Sequence, residues 1–474
     1  MKSDQDNPAH QLGMAFEAAA VAFRAEPNPG RAVRRERLQR LEAALLDHAD
    51  RLVAAMKADF GHRSDSDASI FDITIPLGDI RRNRRHLAQW MKPRNKGMPL
   101  HLLPARGRVI PQPKGVVGVI APWNFPVYLS LAPAAAALAA GNRVLLKPSE
   151  LTPRTSEALQ RMVAESFDPA EFSVHTGGVD TARAFADLPF AHLLFTGSTR
   201  VGRDIALAAA RHLTPVTLEL GGKSPAIVGE HADVVLAAHR IAFGKTANAG
   251  QICVAPDYAL VPRQHMNTFV REVQAAILRY YPQGPASDDF SGIISEGHRQ
   301  RLKALLADAA ERGARLLPVI PEGTAPDARK QTPTLVIDPP VDSRVMLEEI
   351  FGPILPIVPY DSLEHALAFV RDRPAPLALY VFTHHRAERE AWIGGTLSGG
   401  ACVNETAFHV LADTMPFGGV GESGMGAYHG EAGFQTFSHL KSVLYQPKWN
   451  AAFLFNPPMG GLQHLVGKVL RKII

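Results

Sequence analysis

Cysteine is scarce: Cys253 and Cys402 are the two in 474 residues, so a disulfide framework is excluded and a reducing compartment fits. Long apolar runs are missing too, and nothing approaches the roughly 18 uninterrupted residues of a membrane span. Residues 1–8 are polar, without the apolar centre of a secretory signal, and a cytoplasmic location is the expectation. Neither charge sign dominates: 51 Lys+Arg against 46 Asp+Glu leaves +5. No zinc-finger, RNP-type or basic-zipper pattern accompanies it, so a nucleic-acid partner is not expected. The 19 histidines include no H-E-x-x-H or paired spacing, so no metal site is expected. Repeats and low-complexity linkers are also lacking, and the length implies two or three folded domains.

What is present is an alternation of short apolar runs with helical periods. Leu38, Leu41, Leu45, Leu52 and Met56 predict one long helix over 31–58 that Gly61 ends; a second is expected over 70–91, and 93–107 reads as a connector. The Arg81–Arg85 cluster on that second helix reads as a solvated face or an intersubunit contact, with an anion site as the alternative. Strands are predicted at 108–113, 116–120, 143–147, 172–175, 192–195 and around Val216, separated by helices at 129–140, 153–167, 179–187 and 199–211. A second set follows, with strands near 226–228, 259–261, 334–337, 354–359, 379–383 and 400–403, and helices near 232–244, 265–280, 297–312 and 363–372. Such alternation predicts an α/β protein whose parallel sheet is covered by helices on both faces, of the dinucleotide-binding type.

Two stretches carry the chemistry. Pro215-Val-Thr-Leu-Glu-Leu-Gly-Gly222 reads as a strand delivering Glu219 to a glycine turn, and Gly250-Gln-Ile-Cys-Val-Ala-Pro256 delivers Cys253 from another. A carboxylate and a thiol on loops of a rigid frame suit covalent catalysis followed by water attack. Taken singly, each has an ordinary reading, as a solvated strand end and a small buried hydrophobe. Pro122-Trp-Asn-Phe-Pro126 places an amide, Asn124, before an apolar helix, where it can aim at a developing oxyanion or simply satisfy its own turn. Lys147-Pro-Ser-Glu150 lies at a strand's carboxyl end, where a carboxylate can accept from ribose hydroxyls, or where an ordinary capping turn would do. Phe195-Thr-Gly-Ser-Thr-Arg-Val-Gly202 has the strand-to-helix context of a phosphate turn but departs from G-x-G-x-x-G.

Glu219-Leu-Gly-Gly-Lys223 and Gly250-Gln-Ile-Cys-Val-Ala-Pro256 resemble the two signature stretches of the aldehyde dehydrogenase superfamily, and five motifs over about 115–443 agree in order. The resemblance implies Cys253 as nucleophile, Glu219 as general base and Asn124 as oxyanion donor. It implies NAD as cofactor, with NADP as the alternative, held by Trp123, Lys147, Ser149, Glu150, Thr196, Gly197, Ser198, Gly202, Leu220, Glu349 and Phe351. Glu150 should repel a 2′-phosphate. Glu219 implies hydrolysis to a free acid, because relatives that acylate coenzyme A tend to lack it. Pro416–Gly426 matches the family's closing signature, read as structural with no chemical role for Glu422, and Cys402 is assigned none.

The string ending Pro256-Asp-Tyr258 and the Phe455-Asn-Pro-Pro458 tail are similar to the class 3 branch, and 415–426 is similar to bacterial coniferyl aldehyde dehydrogenases. A bulky aromatic or fatty aldehyde is thereby implied, lined by Trp123, Tyr128, Phe408 and His409. The implied architecture is a Rossmann-type cofactor domain (1–94 and 115–218), an α/β catalytic domain (219–430), a small β oligomerisation arm (95–114 and 431–450) and a tail helix (451–474), as a homodimer. On that tail Leu462, Leu465, Val466, Val469, Leu470 and Ile473 share a face opposite Lys468, Arg471 and Lys472. It could dock on the partner, cover the substrate mouth or rest on a membrane surface. A non-catalytic binding or structural protein on the same frame is the alternative of another class.

Overall fold

Strands covered on both faces need apolar residues at every position, and Val116–Ile120 supplies them, with all five residues buried. In the computed structural model, which describes residues 7–320, 329–450 and 456–473 with backbone alone at 472 and 473, this strand is central to a six-stranded sheet. From edge to edge that sheet runs Gly424–Met425, Val216–Leu220, His192–Gly197, Val116–Ile120, Arg143–Lys147 and Phe172–Val174. All neighbours are parallel except Gly424–Met425, which pairs antiparallel with Val216–Leu220 in the register Gly424 to Glu219. Strand order reverses beside Val116–Ile120, so its carboxyl end opens a crevice of the kind that takes ligands.

A seven-stranded sheet is built from Arg315–Pro318, Thr334–Ile337, Ile354–Tyr360, Tyr258–Pro262, Pro225–Val228, Ala378–Phe382 and Gly400–Val403, in that order, antiparallel only at the first pair. A third, three-stranded antiparallel sheet joins Arg94–Lys96 and Ser438–Tyr445 to the two edges of Arg106–Pro113. The expected connector over 93–107 therefore holds a strand, made by a chain whose apolar content is too low to announce it.

The long first helix is two, Arg31–Asp47 and Ala49–Phe60, broken at His48 (φ −107°, ψ 4°) while the apolar face continues across the break. The second begins as a π-helical turn, Ala68–Thr74, and becomes regular at Ile75–Trp90. Its arginines grip their own chain: Arg81 and Arg84 pair with Glu42, and Arg82 with Asp413. A helix that the periodicity did not reveal, Pro8–Ala25, is capped by Asn7 and buries Leu12, Phe16 and Ala19, the Phe16 ring edge-on to Phe190 at 5.6 Å. Its alanine-rich face dilutes the apolar signal. Arg315–Pro318, Arg386–Gly395 and Gly430–Thr436 were likewise not expected. The tail helix spans Gly461–Ile473 and leaves Leu462, Leu465 and Val469 exposed. Phe455 and the side chains of Lys472 and Ile473 lie outside the described residues.

Candidate active site

The thiol is presented by an unusual piece of backbone. The helix Val234–Thr246 stops, and Asn248, Ala249 and Gly250 then take left-handed φ of 46°, 52° and 72°. Two non-glycine residues there cost about 1–3 kcal/mol each. Glycine is required at the third: a Cβ on Gly250 would stand 2.4 Å from the Gly352 carbonyl oxygen. Gln251, fully buried, locks the turn by donating to the Asn248 and Gly292 carbonyls (3.0 and 2.9 Å) and accepting from the Ile294 N–H (3.0 Å). The sulfur of Cys253 follows directly.

Glu219 lies in the strand Val216–Leu220, buried, and neither carboxyl oxygen has a hydrogen-bond partner. Burial holds its pKa well above the ordinary carboxylate value. Asn124, also buried, donates from Nδ2 to the Gln251 carbonyl at 3.2 Å, and its own carbonyl accepts from Asn248 Nδ2 at 3.2 Å. The amide and the cysteine turn are thus stitched together. Burial, then the charges of Glu349 and Glu219, push the Cys253 thiol up to about 12. The resting sulfur is therefore protonated at neutral pH, and its reactivity must rise with pH. Alkylation of Cys253 by iodoacetamide, separated from Cys402 by peptide mass spectrometry, is expected to climb about tenfold per unit from about pH 6 to 9. A plateau near neutrality would show a thiolate already formed.

Two cavities share Cys253 in their walls. One is an apolar pocket of about 90 Å³ whose walls include Phe71, Phe125, Tyr128, Phe243, Phe408 and Tyr428 along with Cys253. The other is a cleft of about 810 Å³ that gathers Trp123, Asn124, Thr196, Gly197, Ser198, Glu219, Glu349 and Phe351 around the same residue. A family model described as "Aldehyde dehydrogenase family" matches residues 4–443. The chain is a member of the aldehyde dehydrogenase family. It is 45% identical over 461 residues to a Pseudomonas aeruginosa protein named "Probable coniferyl aldehyde dehydrogenase", covering 97% of this chain and 96% of that one. Among solved structures it is similar to Staphylococcus aureus AldH in a substrate-bound state (TM-score 0.92, 36% identity, 97% of this chain and 99% of that chain). A P. syringae AldA indole-3-acetaldehyde dehydrogenase mutant in complex with NAD+ and IAA superposes with a TM-score of 0.83 at 26% identity, over 93% of this chain and 89% of that one. As an aldehyde dehydrogenase, this protein oxidises an aldehyde to the carboxylic acid with NAD(P) as hydride acceptor.

The cleft fits such a dinucleotide. The helix Thr199–Ala210 starts at Ser198 with no side-chain cap, so its first amides are free to meet phosphate oxygens, and the buried Thr196 hydroxyl beside them is unpartnered. Other expected residues do not line the cleft. Gly202 packs on Leu220, a Cβ there falling 2.6 Å from Leu220 Cδ2. Lys147, Ser149 and Glu150 follow the neighbouring strand without lining the cleft; Lys147 Nζ donates to Glu150 Oε2 at 2.8 Å.

Two expectations for the aldehyde pocket need correction. Trp123 belongs to the cleft, with its ring edge-on to Phe351 at 5.3 Å and to His298 at 5.1 Å. His409 lines neither cavity: its ring packs on Tyr380 and on Phe417, itself a pocket wall, and so stands behind that wall. Tyr128 and Phe408 do line the pocket. Glu422 sits at the cleft mouth paired with Arg203 at 2.9 Å, and Gly424–Met425 of the same glycine-rich run hold the Glu219 strand. Arg301 and His298 in the cleft, and Phe71, Phe243 and Leu411 in the pocket, were missed. They come from separate segments, and nothing in their spacing marks them.

Proposed function

We propose that this aldehyde dehydrogenase acts on bulky aromatic aldehydes of the coniferyl type, through Cys253 as nucleophile, Glu219 as general base and Asn124 as oxyanion donor. The observation that carries the reading is that one residue, Cys253, lines both an aromatic-walled pocket and a dinucleotide-sized cleft. Cys253 Sγ bonds to the carbonyl carbon, and the thiol proton passes to Glu219. The carbonyl oxygen becomes an alkoxide held by Asn124 Nδ2 and the Cys253 N–H, each such donor contributing about 3 kcal/mol. With NAD(P) held in the cleft beside Thr196, Ser198 and the first amides of Thr199–Ala210, the hydride would leave this carbon for that acceptor and a thioester would remain on Cys253. Glu219 first releases the thiol proton to solvent and then takes a proton from water, whose oxygen attacks the thioester; the C–S bond breaks, that proton returns to the sulfur and the acid departs. A carboxylate with a raised proton affinity and no competing partner is suited to both transfers.

The Phe- and Tyr-lined pocket favours flat or apolar groups over small polar ones. Initial rates at 340 nm with NAD+ and with NADP+, over acetaldehyde, coniferaldehyde and long-chain alkanals, test the assignment. Coniferaldehyde should exceed acetaldehyde in kcat/KM by about 10²-fold or more, from burial of the larger group. Equal values for the two would overturn the substrate class. NAD+ is expected to be preferred because Glu150, which the family resemblance assigns to the cofactor's ribose, would repel a 2′-phosphate; burial raises its pKa, but the hydrogen bond from Lys147 at 2.8 Å outweighs this and lowers it.

The six-stranded sheet is read as the cofactor domain, the seven-stranded sheet as the catalytic domain and the three-stranded sheet as a dimerisation arm. Ser438–Tyr445 supports the last, since it exposes Leu440, Leu444 and Tyr445 along the arm. Light scattering should give twice the chain mass; a monomer at micromolar concentration would refute the arm's role. The exposed apolar face of Gly461–Ile473 is read as packing on the partner subunit. Among the described residues no helix is long and apolar enough to cross a membrane.

A further inference from the structure

Beneath the cleft lies a buried charge cluster that no step of the reaction uses. Asp257, four residues after Cys253, is buried, and its carboxylate meets Lys223 Nζ on one oxygen. The other oxygen accepts the Ile350 N–H at 3.1 Å and stands 3.8 Å from Lys245 Nζ. Lys223 in turn donates to the carbonyls of Val345 and Glu348, both at 2.9 Å. Arg301 grips the same segment from above, donating to the carbonyls of Glu349 (2.9 Å) and Ile350. The main chain from 345 to 350 is thus held at five points by three charged side chains.

That grip has something to hold. Phe351 is a bulky residue at φ 52°, a conformation such residues rarely adopt without support from their surroundings. Its neighbour Gly352 presses its carbonyl against Gly250 of the cysteine turn, the contact that a Cβ at 250 would destroy. Asp257 is fixed to the cysteine loop by sequence, and its own N–H ties it to the base segment by donating to the Ser224 carbonyl at 2.7 Å. Lys223 closes the stretch that begins with Glu219. Three segments that the proposed mechanism treats separately are therefore tied to one carboxylate: the base strand, the nucleophile loop and the nicotinamide-side segment of Glu349 and Phe351.

We propose that Asp257, clamped by Lys223 and Lys245, is the positioning residue through which cofactor occupancy at Glu349 and Phe351 is coupled to the reactivity of the Cys253 thiol. The inference rests on the reading of Cys253 as nucleophile and of Glu349 and Phe351 as cofactor contacts. A dinucleotide that shifts the 349–351 segment shifts Ile350 N–H and the Glu348 carbonyl, and so the carboxylate and ammonium bonded to them. Cys253 is carried on the same loop as Asp257, and Gly250 transmits the contact from Gly352 on its other side. Coupling between two sites through a shared rigid element of this kind commonly amounts to about 5- to 150-fold.

The test reads thiol reactivity and binding rather than turnover. In the full-length protein the iodoacetamide rate at Cys253 is measured with and without saturating NAD+, and NAD+ affinity is taken from quenching of tryptophan fluorescence. The wild-type alkylation rate is expected to change at least about fivefold on NAD+ addition. In Asp257→Asn the ratio should fall to within about twofold, with NAD+ binding about tenfold weaker and the rate without NAD+ little changed. Should Asp257→Asn fail to fold, Asp257→Asn with Lys245→Met removes one anion and one cation together, leaves the net charge of the cluster unchanged and carries the same expectation. A wild-type rate indifferent to NAD+, or a variant that keeps the wild-type ratio and affinity, overturns the proposal. A merely structural role would lower thermal stability and leave the ratio intact. The functional reading fails by a different result, retention of dehydrogenase activity in Cys253→Ala.

Discussion

Cys253→Ala is expected to lose aldehyde oxidation by on the order of 10⁵-fold or more, the scale on which covalent catalysis disappears with its nucleophile. The substitution removes one sulfur from the junction of the apolar pocket and the cleft, both of which keep their remaining walls. Binding should survive: NAD+ affinity measured by fluorescence is expected within about threefold of the wild type, because the groups that surround the dinucleotide are untouched. The result to look for is therefore an enzyme that binds both reactants and transfers no hydride. Cys402 offers no rescue. It lies on the edge strand Gly400–Val403 and lines neither cavity. Residual activity above about 1% of the wild type would mean that hydride can leave an aldehyde or its hydrate without a thiohemiacetal.

Glu219→Gln should separate the two halves of the reaction. The amide is close in shape, so the site stays packed, but it cannot take a proton from water. Hydride transfer needs that proton acceptor once, at the thiol, where rising pH can replace it. Hydrolysis needs it at a water molecule in a buried place, where little else is at hand. Rapid mixing of the variant with NAD+ and aldehyde is expected to give a burst approaching one NADH per site, followed by a steady state slower by roughly 10²–10⁴-fold. Acid quenching should trap the acyl group on Cys253, visible by mass spectrometry of the peptide. A burst-free trace with hydride transfer and turnover slowed equally would place Glu219 in the first half alone. Full turnover would remove it from the mechanism.

The legible parts of this fold were those where one physical requirement dominates. Strands buried on both faces must be apolar throughout, and Val116–Ile120, Arg143–Lys147 and Thr334–Ile337 stand where the runs of valine, isoleucine and leucine said they would. Helices such as Pro153–Ser166 announced themselves by proline at the start and a clear apolar stripe. Pro8–Ala25 hid because three buried positions in eighteen residues leave little periodic signal. The site divides in the same way. Cys253, Glu219 and Asn124 were singled out because their motifs resemble the family's signature stretches; strand ends and glycine turns alone left an ordinary reading open for each. Arg301, His298 and Phe243 were not, since each reaches the site only through long-range packing. His409 shows the limit on a shorter scale: one residue past Phe408, its ring packs behind the pocket wall Phe417 instead of lining the pocket.

The sulfur's position at a crossing of two passages has a kinetic consequence. The narrow aromatic cavity is lined in part by the half-exposed Phe408, and the wide one by the exposed pair of Arg203 and Glu422. Neither reactant has to pass the other on its way in. Arrival order is then a matter of affinity and not of obstruction, and a long organic acid can back out the way it entered while the spent dinucleotide is still seated.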